Sequence, residues 1–322
     1  MENKKLVVSM SPHISEKEGI AGVMLDVIIA LMPAAIAGTY FFGYRAAMVI
    51  LVAVLSCVVF EFLYTTIFRK KSAVGDLSAV VTGMLIGLNM PSTIPYWMVV
   101  VGSGFAIILV KQLYGGIGKN FMNPALAARC FMIIAWAGAM STYAIPLQGV
   151  DAISSATPLG IMKGMSEGNL PSVISAFWGD VPGCIGETST FAILLGFFYL
   201  WIRRVISWKI PVIYILVFGI LTYFFGTNKT GMEQLEYTLL QICTGGLMLG
   251  AVFMATDYTT SPTTPVGIYI YAVGCGALTF VLRKFGSYPE GTSFAILLMN
   301  ILVPQIDKFT IPKKFGRVKK DA

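Results

Sequence analysis

Long apolar segments alternate with short polar links along almost the whole chain. A hydrocarbon core of about 30 Å needs about 20 apolar residues per helix, so each apolar segment predicts one membrane-spanning helix. We number the ten predicted spans in chain order: 21–43, 46–68, 76–90, 94–114, 121–140, 188–206, 208–226, 236–256, 265–283 and 290–306. The longest polar interval, 141–187, is predicted to be a loop between spans five and six.

Basic residues fall mainly on alternate links between the predicted spans. Lys and Arg beside membrane helices favour the cytoplasmic side, so their distribution predicts cytoplasmic termini and an external loop at 141–187. Arg283 and Lys284 disagree with this scheme, because they lie in a link that it places outside. The scheme gives a cytoplasmic segment, a five-helix unit, an external loop, a second five-helix unit and a basic cytoplasmic tail: 1–20, 21–140, 141–187, 188–306 and 307–322.

Two parts of the chain resemble each other weakly. Residues 82–97 and 245–265 each form a glycine-spaced apolar pattern that breaks at a proline-rich turn. One apolar span and a basic, glycine-rich link follow each of them. Since each unit has an odd number of spans, the two units must insert in opposite directions. We therefore predict an all-α polytopic membrane protein with two inverted five-helix repeats and interrupted helices.

The composition also favours a membrane protein. Hydrophobic residues make up 56% and charged residues 12% of the 322, with a mean hydropathy of +0.77, whereas soluble domains carry about 25% charged residues. The net charge is +7, and the Lys and Arg residues cluster between the apolar spans and at both chain ends. There they would set topology or contact anionic lipid, so they do not indicate nucleic-acid binding. Residues 1–20 lack an apolar core with a small-residue cleavage site, so we expect span one to be an anchor and not a signal peptide.

Metal-binding residue types are sparse. The five cysteines form no CxxC pair, and His13 is the one histidine. This set predicts no haem ligand pair and no self-contained iron–sulfur or zinc site. Electron transfer by this chain would need an organic cofactor or a metal centre on a partner.

Charges in or beside the spans need a partner or a function, because a charge in the bilayer is costly. Asp76 and Asp257 lie beside predicted helix breaks, where a carboxylate and free carbonyls can ligate a hard cation. Both are therefore ion-pathway candidates, the alternatives being that they cap helices or pair with Arg129. Arg129 is a third candidate, or else a structural ion pair or cap. For Glu61 we favour snorkelling toward the basic link after span two.

Two short segments do not support the chemistry that they first suggest. GGIGKN at 115–120 lacks the Ser or Thr that follows Lys in a phosphate loop, and its flanks are membrane helices. Ser154 and Thr157 have no nearby histidine, so a hydrolase triad is not expected.

The pair Thr157-Pro158 predicts a helix start, with Thr157 as the N-cap and a short helix from Leu159 to Met165. An N-cap hydroxyl lies at a positive helix end, where phosphate is favoured.

Several segments together resemble one membrane-protein family. The chain is similar to the D subunit of Rnf ferredoxin:NAD oxidoreductase complexes, and is related to the B subunit of the sodium-pumping NADH:quinone oxidoreductase. The similarity covers nearly the whole chain, and the absence of a long N-terminal extension favours the Rnf branch. Its landmarks are SPHI (11–14), GDLSAVVTGMLIGLNMPSTIPYW (75–97), KQLYGGIGKNFMNPALAARCF (111–131), DAISSATPL (151–159), GCIGETSTFAILLG (183–196) and MATDYTTSP (254–262).

The resemblance implies a covalently bound flavin. In the family, a flavin transferase reads D-x-x-[S/T]-x-A-T and links FMN through a phosphodiester to the final threonine hydroxyl. By position, Thr157 is the acceptor, Asp151, Ser154 and Ala156 match the motif, and Ser155 stands where glycine is common. The family also holds a non-covalent riboflavin, and the sequence leaves open whether this chain does.

The function that the resemblance implies is electron transfer coupled to Na+ or H+ pumping across the bacterial cytoplasmic membrane. The chain would be a flavoprotein subunit, inactive alone, whose partners carry iron–sulfur centres and a second flavin. Family relatives carry acids at the positions of Asp76 and Asp257 that are implicated in cation uptake. Two alternatives stay open: a secondary transporter or channel with inverted repeats, and a structural anchor for redox partners.

Overall fold

The computed structural model describes residues 19–69, 74–147, 153–154, 156–227 and 230–311, and it is mostly helical. The α-helices are Ile20–Phe42 (α1), Tyr44–Tyr64 (α2), Ser78–Leu88 (α3), Tyr96–Gly104 (α4), Pro124–Ala135 (α5), Ala137–Met140 (α6), Pro158–Met162 (α7), Val173–Trp178 (α8), Thr190–Ile202 (α9), Lys209–Phe225 (α10), Met232–Cys243 (α11), Leu247–Leu249 (α12), Pro265–Phe285 (α13) and Thr292–Thr310 (α14). Three of them continue as π-helix, at Thr65–Arg69, Phe105–Gln112 and Gly250–Met254, and Val74–Asp76 forms a 3-10 turn. Tyr143–Ala144 (β1) and Ile153–Ser154 (β2) pair antiparallel.

Every predicted span coincides with a helix or an interrupted helix. Among the described residues, three helices are long and apolar enough to cross a bilayer: Ile20–Phe42, Tyr44–Phe68 and Pro265–Phe285. A fourth crossing is possible if Met232–Cys243 and Leu247–Met254, which meet at a bend of 59°, form one broken span. The remaining apolar helices of 10–17 residues are too short to qualify by this criterion. The structure therefore confirms a polytopic helical membrane protein, whereas the count of ten spans stays a prediction.

The outer faces of the long helices carry apolar side chains. Ile36 and Tyr40 of α1 are 62% and 71% exposed, and Leu55 of α2 is 54% exposed. A soluble monomer rarely leaves a continuous apolar surface in water, so these faces fit contact with lipid. The opposite faces pack inward, α1 against α9 and α10 against α13.

The short helix α3 packs closely on α2 because two glycines face it. A Cβ on Gly83 would lie 2.5 Å from Val54 Cα, and one on Gly87 would lie 2.8 Å from Ile50 Cα. Any side chain at either position would push α3 away from α2. This close packing holds α3 entirely within the protein, so that Asn89, which follows its last turn, is fully buried.

The break between α11 and α12 depends on Gly245. Its φ of +70° is a left-handed conformation that favours glycine, and a Cβ there would meet Leu159 Cδ1 at 2.5 Å. The chain can therefore turn sharply between the two helices, which exposes backbone N–H groups inside the protein.

Arg283 and Lys284, the pair that disagrees with the basic-residue scheme, belong to the last turn of α13, and Arg283 is 6% exposed. A basic residue at a helix C-terminus interacts favourably with the helix dipole. Burial at the helix end gives Arg283 a structural role, and the side of the membrane on which the pair lies stays a prediction.

Candidate functional site

A buried cluster centred on Arg129 joins distant parts of the chain. Arg129 lies in the second turn of α5, a helix that Asn123 caps by accepting hydrogen bonds from the backbone N–H groups of Ala125 and Leu126 at 3.0 and 3.2 Å. The guanidinium is 3% exposed. It donates to Asn89 Oδ1 at 2.6 Å and forms ion pairs with Glu187 and Glu290.

The same cluster closes the break between α11 and α12. The backbone N–H of Gly246 donates to the carboxylate of Glu290. A Cβ on Gly246 would lie 2.4 Å from Glu290 Oε1 and 2.6 Å from Glu187 Oε1, so only glycine fits beside the two carboxylates. Through these contacts the cluster connects the end of α3, the start of α5 and the broken helix.

The charges in the cluster do not balance. One guanidinium lies between two carboxylates, and no other described cation forms an ion pair with Glu187 or Glu290. Burial raises the pKa of Glu187 to about 7, although Arg129 lowers it, and the neighbouring Glu290 raises it further. Glu187 can therefore exchange a proton near neutral pH.

Arg129 takes part in structural ion pairs, one of the two alternatives left open by the sequence. Its partners are Glu187 and Glu290, and not Asp76 or Asp257, which the sequence offered only as an alternative. Local sequence patterns single out neither glutamate, although Glu187 lies within the landmark GCIGETSTFAILLG. Their separations from Arg129, 58 and 161 residues, explain why local patterns could not pair them.

Thr157 is the N-cap of α7, as predicted. Its Oγ1 accepts a hydrogen bond from Gly160 N at 3.1 Å, and Pro158 occupies the first helical position. The helix ends at Met162, earlier than the predicted Met165. Thr157 and the preceding Ala156 are both half-buried.

The rest of the motif that is predicted to attach flavin is only partly described. Asp151 and Ser155 lie outside the described residues, and Ser154 lies on β2 opposite Tyr143. A small cavity of about 40 Å³ connects Thr157 with the Arg129 cluster, because Tyr143, Glu187 and Glu290 share its wall with Thr157. Thr157 and Glu187 thus line one cavity, a proximity that the sequence did not predict.

A second, larger cavity of about 350 Å³ lies between α1, α3, the start of α5 and the turn that follows Met254. Its polar wall includes Lys111, Asn120, Asn123 and Asp257, and apolar side chains form most of the rest. Asn120 Oδ1 is buried and has no hydrogen-bond partner among the described residues. The cavity therefore combines apolar walls with a few polar groups, as ligand sites do.

Asp257 caps the turn at this cavity. Its carboxylate accepts hydrogen bonds from the hydroxyls of Thr259 and Thr260 at 3.0 and 3.2 Å. Burial raises the pKa of Asp257, while these hydrogen bonds lower it. The hydroxyl oxygens of Thr259 and Thr260 therefore lie beside the carboxylate.

Asp76 connects to the same cavity through a hydrogen-bonded chain. Asp76 Oδ1 accepts from Ser78 N at 2.9 Å and from Ser78 Oγ at 2.5 Å, and Lys111 Nζ donates to Ser78 Oγ at 2.5 Å. Both Ser78 and Lys111 line the cavity. Asp257 therefore lines this cavity, whereas Asp76 is connected to it through Ser78, and each acid also caps its own turn.

Glu61 does not snorkel as we expected. Its Oε1 lies 2.8 Å from Lys111 Nζ, and the two side chains are 1% and 2% exposed. Lys111 lies within predicted span four, in the π-helical continuation of α4. Local sequence patterns could not predict this buried ion pair, because its two residues lie 50 positions apart in the chain.

Comparison with known proteins identifies the family. The sequence profile of the NQR2, RnfD, RnfE family matches residues 7–316. The chain belongs to this family. Its landmark segments carry the Arg129 cluster, Thr157 and the larger cavity, so the resemblance inferred from the sequence is confirmed.

Three relatives are similar over nearly their whole length. The D subunit of the Na(+)-translocating ferredoxin:NAD(+) oxidoreductase complex of Acetobacterium woodii is 45% identical, with 100% of this chain and 99% of the relative covered. The proton-translocating counterpart of Clostridium ljungdahlii is 42% identical, with 96% of each chain covered. The D subunit of the ion-translocating oxidoreductase complex of Stutzerimonas stutzeri is 37% identical, with 94% and 93% covered. The names of the first two differ in the translocated ion.

Proposed function

We propose that this chain is the membrane flavoprotein subunit of an Rnf-type complex, which couples ferredoxin:NAD+ electron transfer to Na+ or H+ translocation, with FMN attached to Thr157. The full-length similarity to D subunits of such complexes supports the proposal. Ten spans in two inverted repeats, a bacterial cytoplasmic membrane, cytoplasmic termini and iron–sulfur partner subunits belong to the same proposal. FMN, when bound, supplies one- and two-electron transfer.

The geometry of Thr157 fits a phosphodiester, and this observation carries the assignment. The hydroxyl oxygen accepts a hydrogen bond from Gly160 N, and no described group accepts its proton. Esterification replaces that proton and leaves an oxygen that can still accept. The adjoining cavity of about 40 Å³ is large enough for phosphate oxygens but too small for a three-ring flavin, so the ring would lie outside it.

Flavin fluorescence after denaturing electrophoresis tests the attachment. Co-expressed with a flavin transferase, the chain should retain fluorescence in the gel, and Thr157→Ala should lose it. Thr188→Ala is the matched control, because Thr188 borders the same small cavity and should keep the flavin. Fluorescence that survives in Thr157→Ala would exclude this residue, and a wild-type chain without fluorescence would favour the transporter or channel alternative.

We infer that the larger cavity holds the second, non-covalent flavin. Its volume of about 350 Å³ lies within the range of small-molecule sites. The unpartnered Asn120 Oδ1 can accept from the N3–H of an isoalloxazine, and Asn123 stands nearby on the same wall. Flavin released by acid from the Thr157→Ala variant should be detectable by chromatography, and Asn120→Leu should remove it. Equal amounts from both would place the second flavin elsewhere.

The ion pathway is proposed to begin at Asp76 and Asp257. Asp257 lines the larger cavity, Asp76 bonds to Ser78 on its wall, and the Thr259 and Thr260 hydroxyl oxygens beside Asp257 could help to complete the shell of a hard cation. Arg129 acts at a different place, because its cluster contains neither acid. We therefore propose that Arg129 holds the end of α3 and the break between α11 and α12 together, next to Thr157, the proposed site of flavin attachment.

A further inference from the structure

A basic pocket of about 200 Å³ adjoins the small cavity beside Thr157 and shares Leu159 and Pro289 with its wall. It opens between α7, α10, α11 and α13, and three cationic side chains line it: Lys163, Arg283 and Lys284. Phe218, Thr222 and Tyr237 contribute to the remaining wall. None of the three cations forms an ion pair with a described carboxylate.

Arg283 is the buried centre of this basic pocket. Its guanidinium donates to the carbonyls of Gln241 and Thr244 at 2.5 and 3.2 Å and lies 5.0 Å from the centre of the Phe218 ring. The Nε–H of Arg283 is buried and has no acceptor among the described residues. Glu290 approaches Arg283 beside Gly245, since a Cβ on Gly245 would lie 3.2 Å from Arg283 Nη2 and 3.4 Å from Glu290 Oε1. The Glu290 oxygens are, however, held by Arg129 and Gly246.

The hydroxyl of Thr222 gives a second, independent sign of a ligand. Thr222 is 2% exposed, and its Oγ1 is buried without a partner among the described residues. In a helix such a hydroxyl commonly bonds a carbonyl one turn earlier, and this one does not. Leaving a buried donor unsatisfied costs about 1–3 kcal/mol. Two unsatisfied donors, on Arg283 and Thr222, therefore belong to the wall of one cationic pocket.

Lys163 and Lys284 add positive charge and hydrogen-bond donors to the basic pocket. Lys163 Nζ donates to the carbonyls of Gly286 and Tyr288, and Lys284 Nζ donates to the carbonyl of Phe225. Each ammonium has three donors, so at least one proton on each lysine stays available for a ligand. A pocket with this donor set and no acid selects an anion with several acceptor oxygens.

The pocket lies at the C-terminal ends of α10 and α13. Phe224 and Phe225 end α10 and are 66% and 60% exposed, and Phe285 at the end of α13 is 73% exposed. Long basic side chains near helix ends reach the boundary between hydrocarbon and headgroups, and the exposed phenylalanine rings fit contact with acyl chains. Basic pockets between membrane helices are known to bind anionic lipid headgroups. Acyl chains could lie along these rings while a phosphate enters the pocket.

We propose that the basic pocket binds the phosphate of an anionic phospholipid, with Arg283 and Thr222 donating to its oxygens and Lys163 and Lys284 supplying further charge. This lipid site is independent of the flavin assignment. Since Leu159, Met162 and Lys163 bring α7 into the pocket wall, a bound lipid would also hold the segment that follows Thr157.

Lipid binding to the purified complex, measured by native mass spectrometry, tests the proposal. Phosphatidylglycerol should bind at least about tenfold more tightly than phosphatidylcholine, because only the former carries a net negative charge. Thr222→Val and Lys163→Gln should each weaken phosphatidylglycerol binding by about tenfold, the size expected for one hydrogen bond to a charged group. Thr222→Val removes a hydroxyl without a described partner, so the fold should persist.

Two control variants separate the pocket from general effects. Thr292→Val removes another buried hydroxyl without a described partner, outside the pocket, and Lys209→Gln removes a cation at the opposite end of α10. Both should bind phosphatidylglycerol like the wild type. Equal binding of the two lipids, or unchanged binding by Thr222→Val and Lys163→Gln, would overturn the proposal. Inorganic phosphate that displaces the lipid at equal concentration would identify a free-anion site instead.

Discussion

Lys111 Nζ lies 2.8 Å from Glu61 Oε1 inside the helical bundle, and both side chains are almost completely buried. Gln112 Nε2 donates to the same Glu61 oxygen at 2.6 Å, and Lys111 also donates to Ser78. The pair therefore ties α2 to the π-helical end of α4 and to the first turn of α3. A buried charge is tolerated only with its partner in place, so each residue depends on the other.

We predict that single substitutions in this pair destabilise the protein more than the double substitution. Glu61→Gln or Lys111→Met leaves one buried charge uncompensated, at a cost of about 3–5 kcal/mol. The double variant Glu61→Gln with Lys111→Met removes both charges and should recover part of that loss. Thermal unfolding can be followed with a thiol-reactive dye, because all five cysteines are free and buried.

A pair with one exposed partner provides a comparison for this experiment. Arg203 is 49% exposed and pairs with Asp26, whose side chain is 10% exposed, so Arg203→Gln should destabilise the protein less than either single substitution in the Glu61–Lys111 pair. A double variant that is as unstable as the sum of the two single variants would show that Glu61 and Lys111 act independently.

The pH dependence of stability should depend on Glu187. Its folded pKa of about 7 lies above the ordinary value of 4.5, so the folded chain holds the proton more tightly than the unfolded chain. The stabilisation from this proton is fully present below pH 4.5 and is lost as the pH rises through about 7. The unfolding temperature of the wild type should therefore fall more steeply between these pH values than that of Glu187→Gln.

The difference in unfolding temperature between the wild type and Glu187→Gln reports on this carboxyl group, because the other titrating residues contribute to both curves. Glu236→Gln, which changes an exposed acid on α11, should follow the wild-type curve. Parallel curves for the wild type and Glu187→Gln would mean that Glu187 stays ionised beside Arg129 throughout the range.

Labelling of introduced cysteines tests the predicted orientation. The native cysteines are all buried, so an impermeant maleimide should report mainly on a cysteine placed by design. Lys163→Cys, beyond the end of α7, should react in intact cells, whereas Lys314→Cys in the basic tail should react only after permeabilisation. Reaction of position 163 solely from the cytoplasmic side would invert the scheme and place the flavin-bearing loop on the other face.

Local patterns predicted the elements of this fold better than its interior contacts. The apolar segments located the helices, and Thr157-Pro158 gave the start of α7, because hydrophobic length and N-capping depend on neighbouring residues. The charged partners of Arg129 lie 58 and 161 residues away, and only the folded chain brings them together. The carbonyl partners of Arg283 likewise lie 42 and 39 residues away, so the sequence showed its charge but not its buried contacts.

In the candidate site, too, local sequence patterns predicted single residues but not the contacts between distant parts of the chain. Thr157 follows from a motif of adjacent residues, whereas its shared cavity with Glu187 needs the loop before α9 to fold back on α7. The larger cavity likewise gathers residues from α1, α3, the link before α5 and the turn after Met254. Both acids proposed for cation uptake were found from the sequence because a charge beside a helix break is conspicuous in an apolar chain.

Asp76 and Asp257 should determine the Na+ requirement if the complex pumps Na+. Asp257→Asn keeps an oxygen for the turn but removes the negative charge that faces the larger cavity, and Asp76→Asn does the same before α3. Losing one charged ligand should weaken cation binding by about 1–3 kcal/mol, which is roughly a tenfold or greater rise in the Na+ concentration for half-maximal turnover. Turnover of the assembled complex should be measured against Na+ concentration, with the flavin on Thr157 quantified in each preparation. Asp180→Asn, an exposed acid in the loop at 141–187, should leave the requirement unchanged. If Asp76→Asn and Asp257→Asn assemble, retain flavin and need no more Na+ than the wild type, these acids only cap their turns, and the cation binds elsewhere in the complex.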